Sequence, residues 1–292
     1  MTILPEASRP RRWAICPPAP TRYVQEFSHL PRLVVQLLYN RGIVTTEAVD
    51  DFLARRVRDE NPFLLAGMAQ AVARIRQAIT HGEKIVVFGD FDADGVTATV
   101  VLTQTLSGLG ANVTPYIPDR VDEGYGINVD ALDRLAAAGV SLIVTVDCGI
   151  RSIDEIEHGR RRGLDIIVTD HHTVGDALPP ALACINPRRA DSRYPFRELA
   201  GVGVAYKLAQ ALLRVERNCP NGSRQPMPAE EDLLDLVALG TVADMMPLIG
   251  ENRALVSAGL RRLNRPARPG IAALLNEAGV KPGAVNSTAI SF

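Results

Sequence analysis

The chain has 292 residues, 47% of them hydrophobic, enough to bury a sizeable core in a globular protein. Lys and Arg number 32 against 33 Asp and Glu, a formal net charge of -1, so any contact with nucleic acid has to come from local patches. Four cysteines (Cys16, Cys148, Cys184 and Cys219) without CxxC spacing argue against a zinc knuckle or a disulfide framework and fit a reducing, cytoplasmic setting. No apolar segment approaches ~18 residues, so no membrane contact is expected. Arg9, Arg11 and Arg12 are followed by prolines rather than an apolar core, so no signal peptide is read there.

Residues 1 to about 20 are rich in Pro and Arg and read as extended or mobile. From Leu30 to Leu53 the pattern is helical, with Leu33, Leu37 and Leu38 at helical spacing, a break at Arg41-Gly42 and a new start at Thr45-Thr46-Glu47. Met68 to Ile79 reads as an amphipathic helix stopped by His81-Gly82. From Lys84 onward, apolar β-branched runs alternate with helical stretches. Strands are expected at Lys84–Phe88, Asn112–Ile117, Ser141–Val146, Asp165–Thr169 and Ala183–Ile185. Helices are expected between them at Val96–Leu109, Val129–Ala138 and Ile153–Arg162. This predicts an α/β fold: a five-stranded, mainly parallel sheet flanked by helices with right-handed crossovers, behind a small helical lead-in. Two more helices are expected at 202–217 and 230–243, with an exposed loop from Cys219 to Pro228 between them. The tail carries Pro266, Pro269 and Pro282 and stops inside the apolar run Ala289-Ile290-Ser291-Phe292, which suggests a further domain beyond it.

The chemistry concentrates at strand ends. Gly89-Asp90-Phe91-Asp92-Ala93-Asp94-Gly95 follows the apolar run Ile85-Val86-Val87-Phe88 directly. Three carboxylates so close repel one another and lose hydration on burial, and a divalent cation removes both objections. Hard oxygen ligands on a rigid strand suit Mg²⁺ or Mn²⁺. A solvated Asp/Gly turn is the competing reading. The pattern recurs: one strand ends at Asp147-Cys148-Gly149 and another at Asp170-His171-His172. The carboxyl edge of a parallel sheet is where open α/β folds place their sites. Asp147 alone could be a helix cap, but three such ends in succession favour a site. Two ions ~3.5–4 Å apart need a bridging carboxylate, and Asp147 on a central strand is the candidate bridge. His171 would shift preference towards Mn²⁺. Asp170 is expected to orient a histidine, and His172 is open between a functional role and that of a surface histidine. Asp244 ends the apolar helix Leu233–Val242, where the helix dipole disfavours a carboxylate unless a cation is near; an exposed turn before Pro247 is the alternative.

Asp170-His171-His172, with the aspartates at 90, 92 and 94, with Asp147 and with Gly240-Thr241-Val242-Ala243-Asp244, resembles the motif set of the DHH phosphoesterase superfamily. Further segments resemble its bacterial single-strand-specific 5′-to-3′ DNA exonucleases: Arg41-Gly42-Ile43, Gly124-Tyr125-Gly126-Ile127-Asn128, Ala200-Gly201-Val202-Gly203-Val204-Ala205 and Gly250-Glu251-Asn252-Arg253. The resemblance spans about residues 30 to 292. It implies a catalytic domain at 67–250, an extension and lead-in at 1–66, and a connecting helix or linker at 251–292 leading towards a substrate-gripping domain of the DHHA1 type. It implies Mn²⁺ or Mg²⁺ in a two-metal site, with Asp94, Asp147, His171 and Asp244 around one ion and Asp92 and Asp147, with Asp90, around the other. Some members place a histidine where Phe88 stands here. The resemblance gives His172 and Arg120 phosphate contacts and makes His172, Asp147 and Asp170 the catalytic group. Single-stranded DNA is the implied substrate, hydrolysed to 5′-mononucleotides in repair and recombination, with single-strand-binding protein and a helicase as implied partners. Relatives acting on short oligonucleotides or cyclic dinucleotides, and non-catalytic replication scaffolds, are the alternatives. Only 5% of the residues are aromatic, and no stacking platform for bases stands out.

Overall fold

The computed structural model describes residues 14–54, 60–121, 123–124, 126–219 and 227–291. Residues 1–13 of the stretch to about 20 that was expected to be extended or mobile, most of the loop at 219–228, Tyr125 and Phe292 therefore lie outside the described residues. The chain divides into two compact units, one ending at Arg56 and one beginning at Val57.

The first unit holds α1 (Thr21–Glu26), α2 (Arg32–Asn40) and α3 (Thr46–Ala54). Helix α1 was not expected from the sequence. The three pack through Tyr23, Phe27, Val35, Leu38 and Val49. The Tyr23 hydroxyl donates to the Ile43 carbonyl at 2.5 Å. The buried face of α2 is Val35 and Leu38, whereas Leu33 is 71% exposed. Helical spacing alone identified a stripe but not which side of it is covered.

In the second unit α4 (Met68–His81) precedes β1 (Lys84–Phe88), α5 (Ala93–Gly108), β2 (Asn112–Tyr116), α6 (Val129–Ala137), β3 (Leu142–Val146), α7 (Ile153–Arg161), β4 (Asp165–Thr169) and β5 (Ala183–Ile185). Then come α8 (Gly201–Asn218), a short 3₁₀ turn at Glu230–Leu233, α9 (Leu234–Ala243), α10 (Gly250–Leu263), α11 (Pro269–Glu277) and α12 (Ser287–Ser291). The strands form one sheet in the order β2-β1-β3-β4-β5, and every pairing is parallel. From Gly250 the described residues form α10, α11 and α12, separated around Pro266, Pro269 and Pro282, which cannot donate backbone hydrogen bonds.

Alternation along the strands builds two cores. Ile85, Val87, Leu142, Val144 and Ile167 face α4, α5 and α8. Val86, Phe88, Ile143, Ile166 and Val168 face α6 and α7 through Ala131, Leu132 and Ile156. Helices α9 and α10 pack on each other, and α9 lies against α5 and α8 as an added layer. Each fully buried Leu, Ile or Phe contributes about 1.5–3 kcal/mol. Helix α5 buries the hydroxyls of Thr97, Thr99 and Thr105 with partners, each donating to the carbonyl four residues back at 2.8 Å. Helix α5 starts at Ala93, three residues before the expected Val96, because Asp92 caps it by accepting the Gly95 amide at 2.9 Å. Asp94 is thus a residue of the first helical turn.

This strand order fixes where a site can form. The chain leaves β1 towards β2 and then crosses back to β3 on the other side of β1. The crevice between β1 and β3, at their carboxyl ends, is the topological switch point.

Candidate metal centre

Asp90, Asp92 and Asp94 follow β1, Asp147 follows β3, and Asp170, His171 and His172 follow β4. Asp244 arrives from far along the chain as the residue that ends α9. Seven of these side chains form overlapping groups whose candidate ligand atoms lie within 4.8 Å of one another: Asp94, His171 and Asp244; Asp90, Asp92 and Asp147; and Asp147, His171 and His172. Asp147 belongs to two of the three groups, at the crevice itself.

Asp147 is held in an unusual backbone state, with φ of 62°. A left-handed conformation costs roughly 1 kcal/mol for most residues, less for Asp. The bend is secured by the Asp147 amide donating to the Thr169 carbonyl at 3.0 Å and by Thr145 Oγ1 donating to the Cys148 carbonyl at 2.8 Å. It turns the carboxylate off the strand line towards α8. There the chain has Gly201, and a Cβ at that position would come within 2.5 Å of Asp147 Oδ1. The same turn of α8 grips Asp94: the Gly201 amide donates to Oδ2 at 2.6 Å and the Val202 amide to Oδ1 at 2.9 Å. Helix N-termini favour anions, so this turn supports a buried carboxylate. Gly240 of α9 closes the far side, since a Cβ there would meet Asp94 Oδ1 at 2.9 Å.

His171 is 6% exposed. Its Nε2 lies 3.1 Å from Asp147 Oδ1, 3.6 Å from Asp244 Oδ2 and 3.9 Å from Asp94 Oδ2. Both ring nitrogens, Asp147 Oδ1 and Asp244 Oδ2 are buried without a hydrogen-bond partner. Unpartnered buried polar atoms are rare in folded proteins, and His171 Nε2 facing Asp147 Oδ1 and Asp244 Oδ2 describes a set of donors for a cation.

Asp170 has a different task. Its Oδ1 accepts from the His171 amide at 2.7 Å, the His172 amide at 3.0 Å and His172 Nδ1 at 2.7 Å, and its Oδ2 accepts from the Ile150 amide at 3.0 Å. Burial pushes Asp170 up, but the His172 ring and these backbone donors outweigh it and leave the carboxyl below its ordinary value. That hydrogen bond, against the opposing effect of burial, raises His172 to about 9, with the Asp147 and Asp244 charges adding to it. With Nδ1 tied to Asp170, Nε2 is the ring nitrogen left to face outward from a half-exposed side chain.

Asp90, Asp94, Asp147 and Asp244 are all pushed up from the ordinary carboxylate value. Burial, then repulsion from Asp92 and Asp170, raises Asp147 to about 9. Burial and the Asp147 charge raise Asp94, against the pull of the Val202 amide. Burial also raises Asp90 and Asp244, opposed for Asp90 by the Phe91 amide and for Asp244 by His171. A bound divalent cation would reverse every one of these shifts. The residues present therefore fit such an ion.

Arg120 does not join the carboxylates. It stands over the Phe91 ring, 4.9 Å from its centroid, at the rim beside the first motif. Phe88 is fully buried and stacks on Tyr116 at 5.1 Å, so it serves the core beneath the site. Sequence reasoning missed the part played by the Gly201 and Val202 amides and by Asn186, whose Nδ2 donates to the His172 carbonyl at 2.9 Å. The glycines ahead of an apolar helix were visible, but not what would approach them.

Fold and site together describe a parallel α/β protein with cation-ligating residue types converging on its switch point. Residues 84–241 match the family model described as the DHH family, N-terminal domain, and the chain belongs to that family. It is 43% identical over 284 residues to the single-stranded-DNA-specific exonuclease RecJ of Bacillus subtilis, a match covering 96% of this chain and 34% of the relative. It is 41% identical to the Escherichia coli protein of the same name, over 86% of this chain and 44% of the relative. The chain thus spans between about a third and a half of the length of the curated relatives it matches. Among solved structures, RecJ from Thermus thermophilus in complex with Mn²⁺ superposes with a TM-score of 0.73 at 31% identity, over 93% of this chain and 37% of that one. An exonuclease RecJ bound to manganese gives 0.67 at 37% identity, over 78% and 55%.

Proposed function

We propose that this chain is the catalytic part of a metal-dependent phosphodiesterase that digests single-stranded DNA from its 5′ end, releasing 5′-mononucleotides in repair and recombination. The observation that carries the reading is the buried, unpartnered donor set of His171, Asp147 and Asp244, with Asp147 shared between ligand groups. Asp94, Asp147, His171 and Asp244 would hold one Mn²⁺ or Mg²⁺, and Asp90, Asp92 and Asp147 a second. Bound divalent ions supply neutralisation of the charge on the phosphate and ready deprotonation of an attacking water. The protein's own part is positional. Asp170 fixes the His172 ring and keeps it protonated at neutral pH, so Nε2 can donate a charge-assisted hydrogen bond to a non-bridging phosphate oxygen. Arg120 at the rim would contact a phosphate of the same strand. Likeness to the bacterial exonucleases supports the single-stranded-DNA substrate; a cytoplasmic setting and work alongside single-strand-binding protein and a helicase are part of the same proposal.

The test is Mn²⁺-dependent digestion of single-stranded DNA labelled at either end, beside Asp147→Ala. The variant is expected to keep its circular dichroism spectrum and lose activity by on the order of 10³-fold. Near-wild-type turnover in the folded variant would sink the proposal. Faster cleavage of dinucleotides than of long strands would move the assignment to a short-oligonucleotide phosphodiesterase.

A further inference from the structure

Two chain segments must meet for the site to close: the loop after α9 that carries Asp244, and the segment before α8 whose first amides grip Asp94. Both are tied to the first turn of α10. Asn252 is fully buried there, and its Nδ2 donates to the Glu198 carbonyl, two residues before Ala200, and to the Pro247 carbonyl at 3.2 Å, three residues after Asp244. One residue earlier, Glu251 accepts from the Tyr194 hydroxyl at 2.7 Å and pairs with the buried Lys207 of α8. Consecutive residues of one helical turn thus hold the approach to α8 at Tyr194 and at Glu198, and Asn252 reaches back to the loop of Asp244 with the same amide group. An amide is the chemistry such a position needs. It offers two N–H donors to two backbone carbonyls from different segments, and it brings no charge into the interior.

We propose that Asn252 is a positioning residue that sets the separation between Asp244 on one side and Asp94 and Asp147 on the other, and so the affinity of the ion they share. This rests on the metal-centre reading above. Asn252 touches neither ion nor substrate. It acts through the backbone at Pro247 and, by way of Glu198, through the α8 turn that meets Asp94 and Asp147.

The experiment is calorimetric titration of the whole chain with Mn²⁺, comparing wild type, Asn252→Ala, Asn252→Ser and Leu255→Ala. Leu255 is also fully buried on α10 but faces the apolar core, so its truncation loosens the same helix without touching the clamp. Wild type is expected to bind two ions. Asn252→Ala is expected to weaken one of them about tenfold or more and leave the other unchanged, as loss of supporting contacts around a metal ligand does. Asn252→Ser, which keeps one donor, should fall between, and it decides by the same criterion if the alanine variant does not fold. Leu255→Ala should lower the melting temperature yet keep both affinities. Unchanged Mn²⁺ affinity in the Asn252 variants, or an equal loss in Leu255→Ala, overturns the proposal. Absence of Mn²⁺ binding in wild type instead overturns the metal-centre reading on which it rests.

Discussion

Asp147 combines a strained backbone with a carboxyl that burial and its neighbours push up to about 9. The linkage has a definite sign. In the unfolded chain this carboxyl ionises near its ordinary 3.8, so between there and about pH 9 the metal-free folded chain binds the extra proton. Stability of the metal-free protein therefore falls as pH rises across that window. His172 acts in the same direction: its stabilising charge is complete below the ordinary 6.5 and is lost as pH rises through about 9. Mn²⁺ needs the carboxylates ionised, so its affinity should rise between about pH 6 and 9 and binding should release protons. Calorimetry in two buffers of different ionisation enthalpy measures that release, and a buffer-independent heat would contradict it. Gly201 offers a second residue-scale test. The Cβ of Gly201→Ala would press on Asp147 Oδ1 at 2.5 Å, so Asp147 or α8 must move. We expect a loss of about 1–3 kcal/mol in urea denaturation, together with weaker Mn²⁺ binding.

Two helix starts serve the site at the scale of elements, in different ways. Helix α8 presents its first amides to Asp94, whereas α5 is itself capped by Asp92, a side chain expected to face the second ion. The two tasks of Asp92 can be separated. Asn caps helices as well as Asp does, but carries no charge for a cation. Asp92→Asn is therefore expected to keep its stability in the presence of a chelator and to bind Mn²⁺ less tightly, whereas Asp92→Ala should also lose about 1 kcal/mol from the cap. Chemical denaturation in chelator, set beside a Mn²⁺ titration, reads both effects. Equal chelator stability of the two variants would remove the capping role. The end of α9 shows the reverse arrangement: Asp244 sits where the dipole opposes it, and the residue after it, Met245, is left-handed at φ of 55°. An unfavourable residue at a strained helix end is sustained by what it faces, here His171 at 3.6 Å.

For the molecule as a whole, the candidate ligands come from β1, β3, β4 and α9, elements joined through different parts of the core. An ion bound there would tie them together only in the folded state. At an ion concentration of about 100 times Kd, the folded state gains about 2.7 kcal/mol, a rise in melting temperature of about 5–10 °C for a body of this size. Thermal melts with chelator and with Mn²⁺ measure it, and the shift should vanish in Asp147→Ala. A shift that persists in that variant would place the stabilising ion elsewhere.

The five strands were legible in the sequence because they are short β-branched runs bounded by turn residues, and all five were placed to within one residue at either end. The residue types of the site were legible for a related reason: three strands ending in Asp or Asp-His-His, with Asp244 at the end of an apolar helix, make an improbable concentration of charge beside buried segments. Periodicity was weaker where neighbours decide, as with the covered face of α2 and the start of α5, which depends on a side-chain cap. What the sequence determined by itself is the set of chemically capable side chains and the parallel sheet that aims most of them at one edge, because both follow from local composition and the period of the strands. The sequence already pointed to Asp170 as the residue that orients a histidine, and the family resemblance grouped Asp244 with His171. Tertiary structure supplied their geometry, and it alone decided that the α8 amides and Asn252 brace the segments that carry the carboxylates. Those relations join residues up to 108 positions apart, as between Asp94 and Val202, and no local pattern encodes a contact made by packing at such separation.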